Sequence, residues 1–156
     1  MLKANFITAK EAAQRVKDHS TVCTIAMTLV SASESILKEL ENNFLEKGHP
    51  ADLTLLHSCG QSDRKDGIQH LAHEGMVKRI IGSHWGLQPR WMEMIANNQV
   101  EAYCLPQGQI AQLYRSMACG LPGKMSKVGL GTFIDPRIEG GRMNERTKVL
   151  PDIVEL

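Results

Sequence analysis

The chain has 156 residues, a length typical of one domain with a single hydrophobic core. Its hydrophobic fraction of 42% and charged fraction of 22% are those of a folded globular domain and exclude a disordered chain. The formal net charge of +1 comes without a run of like charge, which argues against a nucleic-acid partner.

Localisation and redox state follow from what the sequence does not contain. No stretch approaches the ~20 apolar residues of a membrane span, and the N-terminus lacks the apolar region of a signal peptide. Cys23, Cys59, Cys104 and Cys119 form no Cys-x-x-Cys pair, so neither a disulfide framework nor a zinc ribbon is indicated. We therefore expect a cytoplasmic protein with reduced thiols and no membrane contact.

The first third of the chain predicts helix, strand and helix. Thr8 and Glu11 form a capping box that opens a helix, and residues 21–26 are a β-branched and apolar run typical of a buried strand. Ser31 and Glu34 form a second capping box, followed by apolar residues at helical spacing until Gly48.

The same alternation continues through residue 130. The predicted elements are strand 53–57, helix 69–76, strand 78–81, helix 89–97, strand 100–105, helix 110–118 and strand 127–130. Strands recur roughly every 22 to 32 residues, the length of a βαβ unit. The sequence therefore predicts an α/β fold with an open, mostly parallel sheet and helices on both faces.

The last 20 or so residues break this rhythm. Residues 135–147 are rich in Gly, Arg and Asn, as a surface loop is, and residues 152–156 begin another apolar strand without a following turn. We expect residues 1–156 to be a single domain that is incomplete at its C-terminus.

Two predicted strands end in residues suited to ligand binding. Gly129 and Gly131 lie at the carboxyl end of the strand at 127–130, where glycines let a backbone approach a ligand closely, although Ile134 breaks the dinucleotide fingerprint. Gln107 follows the strand at 100–105, and its amide can hold a carbonyl oxygen. A tight turn and a local Pro-Gln-Gly turn are the structural alternatives.

Charged and histidine-rich segments give weaker signals. His70 and His73, with Glu74 adjacent and His84 nearby, make a metal site conceivable, but they match no established metal motif, so we predict none. Arg137, Glu139, Arg142 and Arg146 give the late loop a mixed basic character, which suits the phosphate of a ligand, a neighbouring subunit or solvation.

Taken in order, several segments resemble the α half of family I CoA-transferases, in particular the single-chain acetate and propionate CoA-transferases. The match is carried by Gly-Ser-His-Trp-Gly at 82–86, Leu-Pro-Gln-Gly at 105–108 and Val-Gly-Leu-Gly-Thr-Phe at 128–133, with residues 7–13, 73–75, 134–137 and 140–146. It runs nearly end to end, and so many ordered matches are far more specific than any one of them.

The resemblance implies transfer of CoA between an acyl-CoA and a short-chain carboxylate such as acetate. In that family a glutamate of the β half attacks the acyl-CoA and becomes a glutamyl-CoA thioester. The resemblance places Gln107 near the reacting thioester carbonyl, where it supplies oxyanion-type stabilisation. It also implies substrate contacts by loop residues, which are Gly108, Gly129, Gly131, Thr132 and Phe133.

The same resemblance implies which partners the chain has and which catalytic residue it lacks. Coenzyme A is expected as a substrate and not as a permanently bound cofactor. The catalytic glutamate lies beyond this chain, so a β-half subunit or domain is the expected partner, in a homo- or hetero-oligomer.

This sequence departs from the family pattern at two places. Residues 25–34 replace a glycine-rich turn with side-chain-bearing residues, and Cys104 stands where an asparagine is usual. The alternative hypothesis is therefore a non-catalytic remnant or oligomerisation module of the same fold.

Overall fold

The computed structural model describes residues 4–154, and its first third alternates as predicted. Helix α1 spans Ala9–Ala13 behind the Thr8 and Glu11 capping box, strand β1 spans Thr21–Thr24, and helix α2 spans Glu34–Lys47 with Gly48 in the left-handed conformation at its end. The predicted strand at 21–26 is thus two residues shorter.

The remaining elements complete a four-stranded sheet. They are strand β2 (Leu53–His57), a 3-10 helix (Gly67–Leu71), strand β3 (Val77–Gly82), helix α3 (Pro89–Ala96), strand β4 (Glu101–Cys104), helix α4 (Gln107–Ala118) and helix α5 (Glu145–Lys148). The strands are all parallel, in the order β1-β2-β3-β4. None of the helices described between residues 4 and 154 is long and apolar enough to cross a membrane.

Two rows of side chains cross the sheet on opposite faces. Val22, Leu55, Ile80 and Ala102 lie in register on one face and belong to the main core. Helix α2, the 3-10 helix and α3 cover that face, since Leu37, Ile68 and Trp91 belong to the same core.

The opposite row consists of Cys23, Leu56, Ile81 and Tyr103. Helix α4 lies on this side, where the Tyr114 hydroxyl donates to the carbonyls of Thr24 and Leu56, at 3.1 and 3.4 Å. Helices therefore flank both faces, as predicted, although Cys23 remains exposed.

Three predictions about local structure are wrong. Residues 127–130 form turns and no strand, because Gly129 and Gly131 adopt φ of 96° and 76°, which a strand does not accommodate. The helix predicted at 69–76 is a 3-10 helix that ends at Leu71. The second capping box does not form, since Ser31 has a φ of 66° and Ser33 precedes the helix.

The C-terminal strand prediction is only partly testable. Residues 151–154 are not in a strand, and residues 155–156 lie outside the described part of the chain.

Candidate functional site

All four strands point their carboxyl ends to the same edge of the sheet, because all pairs are parallel. Loops at this edge are where open α/β sheets bind ligands. The candidate site is therefore the edge at which Thr24, His57, Gly82 and Cys104 end their strands.

Gln107 lies at this edge as the first residue of α4, directly after Pro106. Pro106 is extended, with ψ of 132°, and therefore turns the chain sharply from β4 into the helix. Gln107 is exposed, and its side chain has no hydrogen-bond partner among residues 4–154. A Cβ added at Gly108 would meet nothing within 4 Å, so the space beside Gln107 is open.

The second motif forms a compact loop. Thr132 Oγ1 donates to the Gly129 carbonyl at 2.6 Å, and the Gly131 amide donates to the Asp135 carboxylate at 2.8 Å. Gly131 and Thr132 are exposed, and Phe133 is 39% exposed. The loop therefore presents Gly131, Thr132 and Phe133 to solvent, while hydrogen bonds within the loop hold its interior together.

Asp135 organises this loop, a role that the sequence reasoning did not assign. Its carboxylate accepts hydrogen bonds from the Arg137 side chain at 2.9 and 2.6 Å and from the Arg137 amide at 3.0 Å. The Arg137 guanidinium, with the Gly131 amide, holds the pKa of Asp135 well below its usual range. Asp-Pro following Gly-x-Gly-Thr is the sequence signal that indicates such an Asx-type turn.

Gly141 joins the loop to strand β4 and so brings the two motifs to one end of the sheet. The Gly141 amide donates to the Phe133 carbonyl at 3.0 Å, and its carbonyl accepts from the Cys104 amide at 2.8 Å. Cys104 lies three residues before Gln107. Two hydrogen bonds of Gly141 thus link the loop at 129–135 to strand β4, and this strand leads directly to Gln107.

Cys104, at the position where the resemblance implies an asparagine, is half-buried at this junction. Its Sγ lies 3.9 Å from the Ser83 carbonyl, and burial raises the pKa of the thiol. The thiol therefore stays protonated near neutral pH and does not act as a nucleophile there.

The altered turn after β1 keeps a backbone suited to glycine. Thr28 and Ser31 have φ of 53° and 66°, in the left-handed region that disfavours side chains, Thr28 most because it is β-branched. The Thr28 amide donates to the Gly60 carbonyl at 2.9 Å. Thr28 and Ser31 thus adopt, with side chains, a backbone conformation that glycine favours.

The two histidines of the His-x-x-His pair contact carboxylates of α2. His70 Nε2 lies 2.7 Å from Glu34, His70 Nδ1 lies 2.5 Å from Glu41, and His73 Nε2 lies 2.7 Å from Glu41. Glu34, Asp66 and His70 are close enough to share an ion, but Lys38 Nζ already lies 3.2 Å from Glu34. This cluster ties the 3-10 helix to α2.

His84 lies elsewhere, exposed at the candidate edge. A Cβ at Gly60 would lie 2.7 Å from His84 Nδ1, and one at Gly86 would lie 3.3 Å from the same ring. Glycines on both sides therefore make room for this imidazole.

The arginines of the late loop are mostly engaged within the chain. Arg142 donates to the carbonyls of Thr147 and Leu150, at 2.9 and 3.0 Å, and Arg146 donates to that of Gln99, at 3.1 Å. With Arg137 bound to Asp135, these guanidinium groups hold the loop together, which favours a structural role over phosphate contact.

Comparison with known proteins identifies the class. The coenzyme A transferase family model matches residues 6–153, nearly the whole chain, so the chain belongs to the coenzyme A transferase family.

Particular relatives show how much of such an enzyme this chain represents. It is 41% identical over 154 residues to a caffeate CoA-transferase of Acetobacterium woodii, covering 98% of this chain and 29% of that one. It is 25% identical over 134 residues to the alpha subunit of an acetate CoA-transferase of Escherichia coli K12, covering 86% of this chain and 58% of the relative.

A solved structure is also similar. The acyl-CoA transferase YdiF of Escherichia coli O157:H7, in a thioester complex with CoA, superposes with a TM-score of 0.87 at 34% identity, covering 96% of this chain and 29% of YdiF. The family and the α/β fold expected from the sequence are confirmed. The chain spans less than a third of the length of the caffeate enzyme and of YdiF.

Proposed function

We propose that this chain supplies the α-half part of an acyl-CoA:carboxylate CoA-transferase, with Gln107 contacting the reacting thioester carbonyl. The observation that carries the proposal is the placement of an exposed Gln107 amide, free of internal partners among residues 4–154, at the carboxyl edge of a parallel sheet. An amide N–H aimed at a carbonyl stabilises the charge that develops on its oxygen.

The attacking glutamate is proposed to come from a β half. Several buried or half-buried carboxylates already have partners: Glu34 and Glu41 bind His70, and Glu101 binds Arg79 Nε at 2.8 Å. A carboxylate committed to a neighbouring cation is a poor nucleophile toward a thioester. These contacts therefore favour a nucleophile supplied from outside residues 4–154.

Substrate loops are proposed at Gly108, Gly129, Gly131, Thr132 and Phe133, since these residues are open at the same end of the sheet. Coenzyme A serves as substrate and not as a resident cofactor, and the reaction takes place in the cytoplasm within an oligomer of α and β halves. Because the relatives carry the names caffeate CoA-transferase and acetate CoA-transferase, acetate and caffeate are the first acceptors to compare.

The alternative is a non-catalytic module of the same fold. Its motivation is the loss of glycines at residues 25–34, but Thr28 and Ser31 retain left-handed backbone conformations there. Persistence of the turn geometry favours the catalytic proposal over the remnant.

The test is complementation. The chain is mixed with the part of the YdiF polypeptide that lies outside the matched stretch, and CoA exchange from acetyl-CoA to labelled acetate is measured. We expect exchange in the mixture and none in either part alone. Absence of both exchange and saturable CoA binding in the mixture would support the non-catalytic alternative.

Gln107→Ala tests the role of the amide in that mixture. We expect kcat to fall by roughly 10²–10³, the cost of removing one oxyanion donor, with a smaller change in KM. Gln112→Ala is the matched control, because Gln112 is an exposed glutamine of the same helix. Equal kcat values for Gln107→Ala and Gln112→Ala would show that the Gln107 amide takes no part in the reaction.

A further inference from the structure

A cavity of about 180 Å³ lies between the C-terminal ends of helices α1 and α2, lined by residues of the segments 13–16 and 43–50. Helix α2 crosses from the carboxyl edge of the sheet, after β1, back to the amino edge, before β2. Its last turn and the cavity beside it therefore lie at the amino edge. Gln107 lies at the opposite, carboxyl edge.

A buried amide without an internal partner lines this cavity. Asn43 is 7% exposed, and its side chain makes no hydrogen bond to any residue between 4 and 154. Buried amides are normally hydrogen-bonded, because leaving one unpaired after removal from water is unfavourable. Since Asn43 is part of the cavity lining, its amide is available to a ligand that binds there.

A lysine at the cavity also lacks a counterion within the described chain. Lys47, in the last turn of α2, lines the cavity and forms no ion pair with a residue between 4 and 154. The neighbouring His49 differs, because its Nδ1 lies 2.8 Å from the Asp18 carboxylate, which also accepts from the Ala51 amide at 2.8 Å. Lys47 is thus the cation at this cavity that is left to bind an anion.

The opposite wall of the cavity is apolar. Ala13 is 1% exposed, Pro50 is buried, and Val16 packs against the main core. A few polar groups beside an apolar wall suit a ligand that is polar at one end and apolar at the other. Because the polar end here meets an ammonium and an amide, a carboxylate fits it.

The volume limits the size of such an acid. At ~30 Å³ per water molecule the cavity corresponds to about six waters, which leaves room for roughly four to six non-hydrogen atoms. This is the size range from acetate to butyrate. Inorganic phosphate has a similar size but no apolar part to place against the wall.

We propose that this cavity binds a short-chain aliphatic monocarboxylate, with its carboxylate held by Lys47 Nζ and the Asn43 amide and its alkyl chain packed on Ala13, Val16 and Pro50. The site goes beyond the proposed transfer reaction, because it lies away from Gln107 and needs no residue from outside this chain. The chain alone is therefore sufficient to test it, and failure of this site would leave the proposed function intact.

Titration with sodium propionate at constant ionic strength, followed by amide NMR spectra, tests the site. We expect saturable shifts of the Asn43 side-chain amide and of the backbone amides of residues 13–16 and 47–49, with a Kd of about 1–10 mM. Lengthening the acid from acetate to butyrate should lower the Kd by up to about fourfold for each buried CH₂ group. Hexanoate should gain nothing further, because its chain extends beyond the cavity.

Two variants test the polar contacts. Lys47→Ala is expected to raise the Kd for propionate by at least about tenfold, because the charge-assisted hydrogen bond is lost. Lys10→Ala is the matched control, since Lys10 is an exposed lysine of α1 that does not line the cavity. Asn43→Asp places a like charge against the carboxylate and should abolish saturable binding. If Asn43→Asp fails to fold by circular dichroism, Gln14→Glu replaces it, because Gln14 is exposed and also lines the cavity.

Four results would each overturn this inference. They are absence of saturation below about 100 mM propionate, equal affinity for phosphate and propionate, an affinity that does not depend on chain length, and equal affinity of Lys47→Ala and Lys10→Ala. Shifts confined to the carboxyl edge around Gln107 would also overturn it, because they would place the acid at the proposed catalytic edge and not in this cavity.

Discussion

Gly141 shows how a single residue couples the candidate site to the sheet. It has a φ of 73°, and a Cβ placed there would lie 2.6 Å from the Cys104 carbonyl oxygen. Its amide and carbonyl also join Phe133 to Cys104. Both the conformation and the close approach therefore require glycine at this position.

Gly141→Ala is expected to destabilise the chain by about 1–3 kcal/mol, because the methyl group forces the loop away from β4 and the left-handed conformation adds strain. The change in the free energy of unfolding is measured by urea unfolding, with the m-value expected to be the same for the variant and the parent. Gly123→Ala is the control, since a Cβ there meets nothing within 4 Å. Equal stability of the two variants would show that the loop adjusts freely.

Residue-level prediction from the sequence succeeds where a signal is local. The neighbours of Gln107 in sequence predict its place between a strand end and a helix, and the structure places it there. The sequence does not reveal the role of Gly141, because its partner, Cys104, is distant along the chain and no local pattern encodes their approach. The role of Gln107 at a thioester stays a prediction.

At the level of elements, hydrophobic periodicity predicts the four strands because each contributes apolar side chains to the core between helices. It fails at residues 127–130, where Val128 and Leu130 resemble a strand but alternate with glycines of positive φ. The capping pattern also fails at Ser31, where Ser-x-x-Glu is present but Glu34 instead accepts from the Gly67 amide at 3.0 Å. At Glu34 a long-range contact is formed in place of the local cap.

The cluster that replaces this cap links two elements through His70. Its imidazole lies between Glu34 and Glu41, with Asp66, Lys38 and Arg90 as the nearby charged groups. Burial acts to lower the pKa of His70, but the hydrogen bonds to Glu41 and Glu34 outweigh it and raise the pKa. The same bonds outweigh burial at Glu34 and Glu41 and lower their pKa values.

The sign of the pH dependence follows from these directions. A histidine pKa raised by folding stabilises the folded state fully below about pH 6.5 and loses that contribution as the pH rises through the folded value. The lowered carboxyl pKa values keep Glu34 and Glu41 ionised below about pH 4.5. The cluster is therefore most stabilising between roughly pH 4.5 and 6.5.

His70→Gln is expected to lower the free energy of unfolding by about 1–3 kcal/mol at pH 5.5 and by less at pH 8.5. Denaturant unfolding at the two pH values measures the difference. His19→Asn is the control, because the His19 side chain is 76% exposed and lies 3.8 Å from Asp52. A loss for His70→Gln that does not vary with pH would show that the imidazole is neutral in the cluster.

At the scale of the whole molecule, two histidines act in opposite directions on the pH dependence of folding. His57, fully buried at the end of β2, donates from Nδ1 to the Cys59 carbonyl at 2.8 Å, while Nε2 has no partner among the described residues. Burial lowers the pKa of His57 to about 4. The folded chain therefore favours the neutral form of the His57 imidazole, whereas it favours the protonated form of His70.

Neutral His57 stabilises the folded state above about pH 6.5, and this contribution declines as the pH falls toward 4. The reason is that over this interval the imidazole binds a proton in the unfolded chain but remains neutral in the folded chain. Over that interval the loss amounts to roughly 3 kcal/mol. Below about pH 6.5 the contribution of His70 is already complete and no longer changes with pH, so His57 governs the acid limb of the stability profile.

His57→Asn separates the two contributions, because asparagine retains a donor for the Cys59 carbonyl but does not titrate. We expect the variant to be less stable than the parent at pH 7.5, since it leaves a cavity beside Gly82, and to lose less stability between pH 6.5 and 4.5. Urea unfolding across that range measures both. Combined with His70→Gln it should flatten the profile between pH 5 and 8, since both of the histidine contributions described above are then removed. An acid limb as steep in His57→Asn as in the parent would mean that another group, and not this buried imidazole, makes the fold sensitive to acid.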